Sequence, residues 1–228
     1  MNDKQSKKEK PASLFTSWLR NSEIPEVASE LAEVSLDTFI NDEIIKDIPI
    51  LGVSFKIIHS VKGIREKIFE HKLKLFLSEF SNLKKEEIEN FRDRLKKDPQ
   101  FEKRAGETII LLLERHERFE KSVILGRFFH QLIVGKCSHE LFLRLSASLD
   151  RVTIEDLESL HENFSSIDEI PEATKQGLYR SGLLDFSIKA GVNIHGSHMF
   201  GVVDNVEVKM DYKISDLGFS FMSFASDQ

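Results

Sequence analysis

Apolar residues recur at helical spacing along the first two thirds of the chain, most densely in residues 107–135. The run from Thr108 to Leu113 places apolar side chains on every side of a helical turn. Such a helix has to be covered on all sides. The run from Val123 to Val134 repeats apolar residues every three or four positions, and the polar segment Arg115–Arg118 connects the two. We therefore predict an antiparallel helix pair at the centre of a helical domain.

Further helices are predicted around this pair. Apolar spacing predicts one helix from Pro25 that ends at Asn41-Asp42, and two between Ile64 and Leu95 that are separated at Ser81-Asn82. Gly135 is a predicted stop signal for the second central helix. Helix-start signals precede the later helices: Asp98 before Pro99, Ser138 before Glu140, Thr153 with Asp156, and Ser215 before Asp216.

The pattern changes beyond residues 165–171, which we take as a domain boundary. A short helix is predicted over 172–181, a strand entry at 182–188, a loop at 191–201 and a strand at 206–214, where apolar and charged residues alternate. This order is similar to a winged-helix module. The predicted fold class is mainly α, a multi-helix bundle with a C-terminal winged-helix-like α+β module. The predicted domains are a disordered basic tail (1–13), a helical bundle (14–164) and the winged-helix-like domain (172–228).

Residues 44–61 are the most ambiguous stretch. Only eight uncharged residues lie between Asp47 and Lys56, whereas about 20 apolar residues are needed to cross a bilayer. One interpretation is a buried helix that begins at Pro49. The other is an interfacial helix, because a cationic cluster in residues 56–74 follows, and such a pair of features can bind anionic lipid. The candidate membrane or partner contacts are Ile50, Leu51, Phe55, Lys56, Lys62, Arg65 and Lys67.

Composition favours a helical interior and a reducing compartment. The chain has 18 Phe against 2 Tyr and 1 Trp, which favours packed interiors over exposed recognition surfaces. Cys137 is the single cysteine, so an intrachain disulfide is excluded. The Lys-rich start is not followed by an apolar run of signal-peptide length, so we expect a cytoplasmic protein, with the inner face of the membrane as a further location.

No motif for catalysis, a cofactor or a metal stands out. His195 and His198 lie in a loop without a paired carboxylate, and zinc sites need three or four ligands. His116 lies among charges typical of a solvated helix end, and His130 on an apolar helix is expected to be buried and hydrogen-bonded. Cys137 is followed by His139, but a thiol and an imidazole so close in sequence seldom align. We expect a protein without enzymatic activity, cofactor or metal.

Nucleic acid is the alternative partner. Residues 151–228 hold 6 Lys or Arg against 13 Asp or Glu, which disfavours general phosphate binding. A recognition helix would still present Lys175, Gln176 and Arg180 to DNA. Use of the module for protein contact or intramolecular packing is at least as well supported.

The C-terminal half resembles the abortive-infection alpha proteins of bacteria, a family of phage-defence factors. The resemblance rests on the Phe-rich helix Val123–Val134, on the two helices in Phe142–Leu160, and on a pair of motifs in Gly177–Leu184 and Tyr212–Phe219. It implies a cytoplasmic bacterial protein that limits phage growth through a membrane or a partner protein, and it supplies no catalytic residues.

The function expected from the sequence is therefore a non-enzymatic anti-phage effector or adaptor that acts through protein or membrane-surface contacts in Ile44–Lys74. The alternative is a winged-helix DNA-binding transcriptional regulator. A protein partner or an anionic membrane surface is preferred to nucleic acid, and a homo-oligomer is left open.

Overall fold

Helices make up most of the chain, and a two-stranded antiparallel sheet lies near the C-terminus. The computed structural model describes residues 35–48, 50–51, 64–195 and 202–226. The described helices and strands, in chain order, are α1 (Leu36–Asn41), α2 (Glu43–Lys46), α3 (Ile64–Ser78), α4 (Lys85–Leu95), α5 (Pro99–Arg115), α6 (Glu120–Ile133), α7 (His139–Arg151), α8 (Ile154–Glu162), a 3-10 turn (Ile167–Glu169), α9 (Glu172–Arg180), β1 (Leu184–His195), β2 (Val202–Ile214) and α10 (Asp216–Ala225).

The two central helices predicted from the sequence are present as α5 and α6, but they are not each other's main partners. Helix α6 packs most extensively on α3, because Gly126 lets the two backbones approach. A Cβ at Gly126 would lie 2.7 Å from the Phe76 carbonyl oxygen. Helix α5 is covered on fewer sides than predicted, since Leu111 stays 61% exposed. The expectation of complete cover for this helix was wrong.

Phenylalanine rings fill the space between the helices around α6. Phe129 is fully buried, and its ring centroid lies 5.8 Å from that of Phe76, 5.6 Å from Phe80, 5.9 Å from Phe91 and 5.8 Å from Phe142. These neighbours come from α3, its C-terminal turn, α4 and α7. The Phe-rich composition therefore serves the core, as the sequence predicted.

The predicted helix-start signals are confirmed. Side-chain oxygens of the four predicted caps accept hydrogen bonds from backbone amides three residues further on, at 2.9 to 3.1 Å, and so satisfy donors that lack a helical partner. Gly135, just after α6, has a φ of 83°, which suits glycine. Helix α1 ends at Asn41, as predicted.

The hairpin is longer than its predicted strands. The loop prediction for 191–201 was wrong for residues 191–195, which belong to β1. They pair in register with β2, for example Gly191 with Glu207 and Val192 with Val206, and a bulge follows at Asn193/Ile194. Pairing with a long partner strand overrides the local preference of Gly and Asn for turns.

The C-terminal segment packs on the helical bundle. Helix α10 contacts α6 and α7, and one cluster of buried apolar side chains extends from Ile45 to Ala225. Ile170, inside the predicted boundary, is also buried. The division into two domains stays a prediction, and the predicted tail (1–13) and most of the helix from Pro25 lie outside the described residues.

Candidate functional site

Large apolar side chains are exposed together where α9 meets the hairpin. The strand register pairs Phe186 with Tyr212 and Ile188 with Met210. Alternate residues of a strand share a face, so all four occupy one face of the sheet. Tyr179 of α9 extends this face, with its ring 4.7 Å from that of Phe186. The side chains of Tyr179 (43% exposed), Phe186 (37%), Ile188 (61%) and Met210 (51%) form what we call the hairpin surface.

Tyr212 fixes the hairpin surface to the body of the protein. It is nearly buried, and its hydroxyl donates a 2.9 Å hydrogen bond to Glu172 Oε1 at the start of α9. Lys175 Nζ lies 6.0 Å from the centre of the Tyr212 ring and donates a 3.0 Å hydrogen bond to the Asp168 carbonyl oxygen. The base of the hairpin is thus held in place, while Ile188 and Met210 present their apolar side chains to solvent.

A junction between the end of α9 and the start of α10 sets the direction of both strands. Gly182 has a φ of 84°, and its carbonyl accepts a 2.7 Å hydrogen bond from the Ser215 hydroxyl. Ser215 N donates to the Leu183 carbonyl at 3.0 Å, and a Cβ at Gly218 would lie 2.2 Å from that same oxygen. Two of the segments on which the family resemblance rests, Gly177–Leu184 and Tyr212–Phe219, meet at this junction, so these residues position the hairpin.

The three residues proposed for DNA contact have different surroundings. Lys175 is buried, and its ammonium group contacts the Asp168 carbonyl oxygen and the Tyr212 ring. Its assignment as a base-reading residue was therefore wrong. Gln176 and Arg180 are exposed on α9, and Gln176 Nε2 lies 3.5 Å from Glu172 Oε1.

The structure also separates the seven residues proposed for membrane or partner contact. Ile50 and Leu51 are fully buried in the core, which favours the buried-helix interpretation and makes their assignment as surface contacts wrong. Lys67 is exposed on α3. Phe55, Lys56 and Lys62 lie outside the described residues, and Arg65 is described only as a backbone position in α3.

His116, in the connector between α5 and α6, is buried instead of solvated as predicted. Within the described part of the chain, its two ring nitrogens make no hydrogen bond, and Nε2 lies 3.8 Å from Asp150 Oδ1. Residues distant in sequence bury this ring. Lys72 of α3 donates hydrogen bonds to the backbone carbonyls of Glu114 and His116, and Asp150 of α7 lies beside the ring.

The electrostatics around His116 keep its ring neutral. Burial lowers the His116 pKa to about 3, and the positive charges of Lys121, Lys72 and Arg115 act in the same direction. Burial also lowers the pKa values of Lys72 and Lys121. With this pKa the ring is not in the imidazolium form at neutral pH, so His116 is poorly suited to act as a general acid.

The other sequence candidates for chemistry are placed as follows. Cys137 is buried, and burial raises its pKa to about 12, which disfavours the nucleophilic thiolate. His130 is half-buried on α6, and burial lowers its pKa. Among the described side chains, no three His, Cys, Asp or Glu residues converge as metal ligands. The side chains of His195 and His198 lie outside that set.

A groove of about 430 Å³ lies between α7 and the base of the hairpin. Arg144 and Arg151 of α7 line it together with Asp185 and Asp216. Its charged lining is balanced, with two residues of each sign. This balance does not select an anionic or a cationic ligand.

Sequence reasoning missed the hairpin surface, although part of its signal was present. The alternation of apolar and charged residues in 206–214 predicts a strand with one polar face and one apolar face, and the apolar face needs a covering partner. Phe186 and Ile188 continue the same alternation in the preceding strand. That this face lacks cover at Ile188 and Met210 follows only from the three-dimensional arrangement.

Comparison with protein-family models, curated proteins and solved structures gives no match to this chain. In the described part of the chain, no helix combines the length and the apolar character needed to cross a bilayer.

Proposed function

We propose that this protein is a non-enzymatic effector or adaptor of bacterial anti-phage defence and that it binds a partner protein through the hairpin surface. The observation that carries the binding role is the exposure of Ile188 and Met210 beside Tyr179 and Phe186. A contiguous group of exposed large apolar side chains is typical of an interaction site. The defence context is supported by the resemblance of the C-terminal half to the abortive-infection alpha proteins.

The chemistry of the hairpin surface favours protein over lipid or nucleic acid. Aromatic and methionine side chains are enriched in protein interfaces. The two exposed charged residues of α9, Glu172 and Arg180, have opposite signs, so this helix adds no excess of positive charge beside the hairpin surface. A membrane or a nucleic acid would instead favour an excess of cationic side chains.

We also propose that residues 172–228 form a winged-helix-like module, with α9 in the position of a recognition helix and the hairpin as the wing. Two helices precede α9, and the hairpin follows it directly. In this proposal the wing contacts protein, since a fold of this kind does not determine its ligand.

A phage-plating assay tests the proposal. Cells that express the full chain, its Ile188→Asp variant or its Leu111→Asp variant are challenged with a panel of phages. The charge placed on the hairpin surface should abolish protection. Leu111, with the same 61% exposure but on α5, is the matched control and should retain it.

The outcomes separate the parts of the proposal. Full protection by the Ile188→Asp variant would exclude the hairpin surface as the binding site. Absence of protection by the unmodified chain against every phage would exclude the defence role. Circular dichroism on both variants checks that any loss of protection does not come from unfolding.

DNA binding is the second candidate, and it is favoured by the exposure of Gln176 and Arg180 on the helix that precedes the hairpin. Gel shifts at low salt decide this alternative, because nonspecific phosphate contacts are strongest there. A shift that weakens in the Arg180→Ala variant would support the regulator. No shift at low salt would exclude it.

A further inference from the structure

The groove between α7 and the base of the hairpin has two walls of opposite charge. One wall is α7, where Arg144, Ala147 and Arg151 follow each other at spacings of three and four residues and therefore lie on one face of the helix. The other wall is formed by the starts of β1 and α10, which contribute Asp185 and Asp216. The basic lining residues are thus on one side of the groove and the acidic ones on the other.

These four charged side chains are left without partners. Within the part of the chain that the structure describes, all four are exposed and make neither an ion pair nor a hydrogen bond through their side chains. The two walls are therefore too far apart to pair with each other. The space of about 430 Å³ between them falls within the range of about 300 to 1,000 Å³ that is usual for ligand pockets.

Buried hydrogen bonds, and not the charges, set the distance between the walls. Ser148 on α7 lies one turn after Arg144, and its hydroxyl donates a 2.7 Å hydrogen bond to the Ser181 carbonyl. Both serines are buried, so this bond ties α7 to the end of α9 beneath the charged residues. The Ser215 hydroxyl fixes Gly182 in the same way. A ligand would find the walls already in place, which lowers the ordering cost of binding.

An extended polypeptide has the geometry that two oppositely charged walls require. Its successive side chains point to opposite sides. In a segment where acidic and basic residues alternate, the acidic side chains all face one wall and the basic side chains all face the other. The planar guanidinium group of arginine binds carboxylates through two parallel N–H donors. A ligand with charges of a single sign would meet like charges on one wall.

We propose that this groove binds an extended segment of a partner protein in which acidic and basic residues alternate. The acidic side chains of the segment contact Arg144 and Arg151, and its basic side chains contact Asp185 and Asp216. Ala147, whose side chain ends at Cβ, leaves space between the two arginines.

The groove and the hairpin surface are separate sites. Asp185 and Phe186 are neighbours in β1, so their side chains point to opposite faces of the sheet. The inference therefore does not depend on the proposed function. The Ile188→Asp variant, which disrupts the hairpin surface, should bind a peptide in the groove as well as the unmodified chain does.

Peptide titration of the full chain, followed by NMR at low salt to limit screening, tests the ligand class. The probe is a capped tetrapeptide in which glutamate and lysine alternate. The matched control peptide has the same four residues in the order two glutamates, then two lysines. The alternating peptide should bind about tenfold more tightly, the effect of roughly one charge-assisted hydrogen bond. Capped tetraglutamate and tetralysine should also bind more weakly than the alternating peptide.

Variants test each wall. Arg144→Ala and Asp185→Asn should each weaken binding of the alternating peptide about tenfold. Arg104→Ala, which removes an exposed arginine of α5 outside the groove, should leave it unchanged. Ala147→Leu fills the groove without changing its charge and should prevent binding. Asp185 is used instead of Asp216 because a carboxylate in the first turn of α10 also stabilises that helix.

A second peptide shows whether the arginine contacts the ligand directly. When glutamine replaces both glutamates of the alternating peptide, Arg144→Ala should cause no further loss of affinity. A structural role of Arg144 would instead weaken both peptides equally. Circular dichroism on each variant confirms that the fold is kept.

Four results would overturn the inference. The first is no binding of the alternating peptide at millimolar concentration. The second is equal affinity for the control peptide, which would remove the role of alternation. The third is binding of tetraglutamate as tight as that of the alternating peptide, which would leave an anion site only. The fourth is unchanged affinity in the Ala147→Leu variant, which would place the peptide outside the groove.

Discussion

Gly218 is a position where one additional carbon has no space. A Cβ there would lie 2.2 Å from the Leu183 carbonyl oxygen and 3.0 Å from Ile214 Cγ2. Because the oxygen belongs to the backbone of the α9–β1 junction, it can move only if the junction opens. Gly218 is therefore required for the close contact between the end of α9 and the start of α10, which positions the hairpin.

The Gly218→Ala variant should lower the free energy of unfolding by about 2 kcal/mol or more, the usual cost of forcing an atom into a packed site. Urea denaturation followed by circular dichroism measures the change. Gly106→Ala is the control, because its Cβ would lie 3.6 Å from Ile50 Cγ2, an ordinary contact, and alanine favours a helix by up to about 1 kcal/mol. Equal stability of the Gly218→Ala variant and the unmodified protein would contradict this account.

His116 should make the fold sensitive to acid. Its pKa of about 3 in the folded protein lies below the ordinary value of 6.5, so between these values the unfolded chain binds a proton that the folded chain does not. Stability contributed by the neutral ring is present above pH 6.5 and falls as the pH decreases towards 3. The slope from this group approaches about 1.4 kcal/mol per pH unit.

Replacing His116 by Phe should remove that slope. Urea denaturation of both proteins across pH 4.5 to 7 gives the difference, in which contributions of other groups cancel. His71, His130 and His161 also have pKa values lowered by burial, so the variant keeps a smaller acid sensitivity. Identical pH dependence in the two proteins would show that His116 is accessible to protons in the folded state.

The residue scale shows where sequence reasoning succeeds and where it stops. The caps at Asp98 and Ser138 could be predicted because the donor amide lies three residues away in the same segment. The burial of His116 depends on Lys72 and Asp150, which are distant in sequence. Its charged neighbours in sequence predicted a solvated side chain instead.

At the scale of elements, α10 shows how the hairpin is tied back to the bundle. Phe221 is fully buried, with its ring 4.9 Å from that of Phe128 on α6. Arg127, also on α6, donates to the Ala225 carbonyl at the end of α10, and its Nε lies 3.2 Å from Glu79 Oε2. The sequence predicted this helix and its cap, but not the helix on which it packs.

The Phe221→Ala variant should lose about 3 to 5 kcal/mol of unfolding free energy, as expected for a large ring removed from a core. Phe219→Ala on the same helix is the control, since Phe219 is 53% exposed and should cost less than about 1 kcal/mol. Chemical denaturation measures both changes. Similar losses in the two variants would mean that α10 is not docked through Phe221.

For the whole molecule, the continuous core predicts cooperative unfolding. Buried residues connect Ile45 near the start of the described chain to Ala225 near its end, through α6. Differential scanning calorimetry should therefore give one transition, with the calorimetric and van't Hoff enthalpies equal. Two separated transitions would instead support independent domains divided at residues 165–171.

The mainly helical class and most helix boundaries could be predicted, because periodicity and caps are local signals. The partners of each element could not, since the approach of α6 to α3 depends on Gly126 meeting the Phe76 backbone. The candidate site needed the same kind of information. The alternation of Phe186 and Ile188 can be recognised in the sequence, but only the fold shows that Ile188 stays exposed.

The four rings around Phe129 also restrict its rotation. A buried ring packed against four others can flip by 180° only when those neighbours move apart together. The flip rate of Phe129 therefore reports how often the packing at the centre of the protein opens. Selective isotope labelling of phenylalanine would make that rate visible as separate or merged NMR signals from the two edges of this one ring.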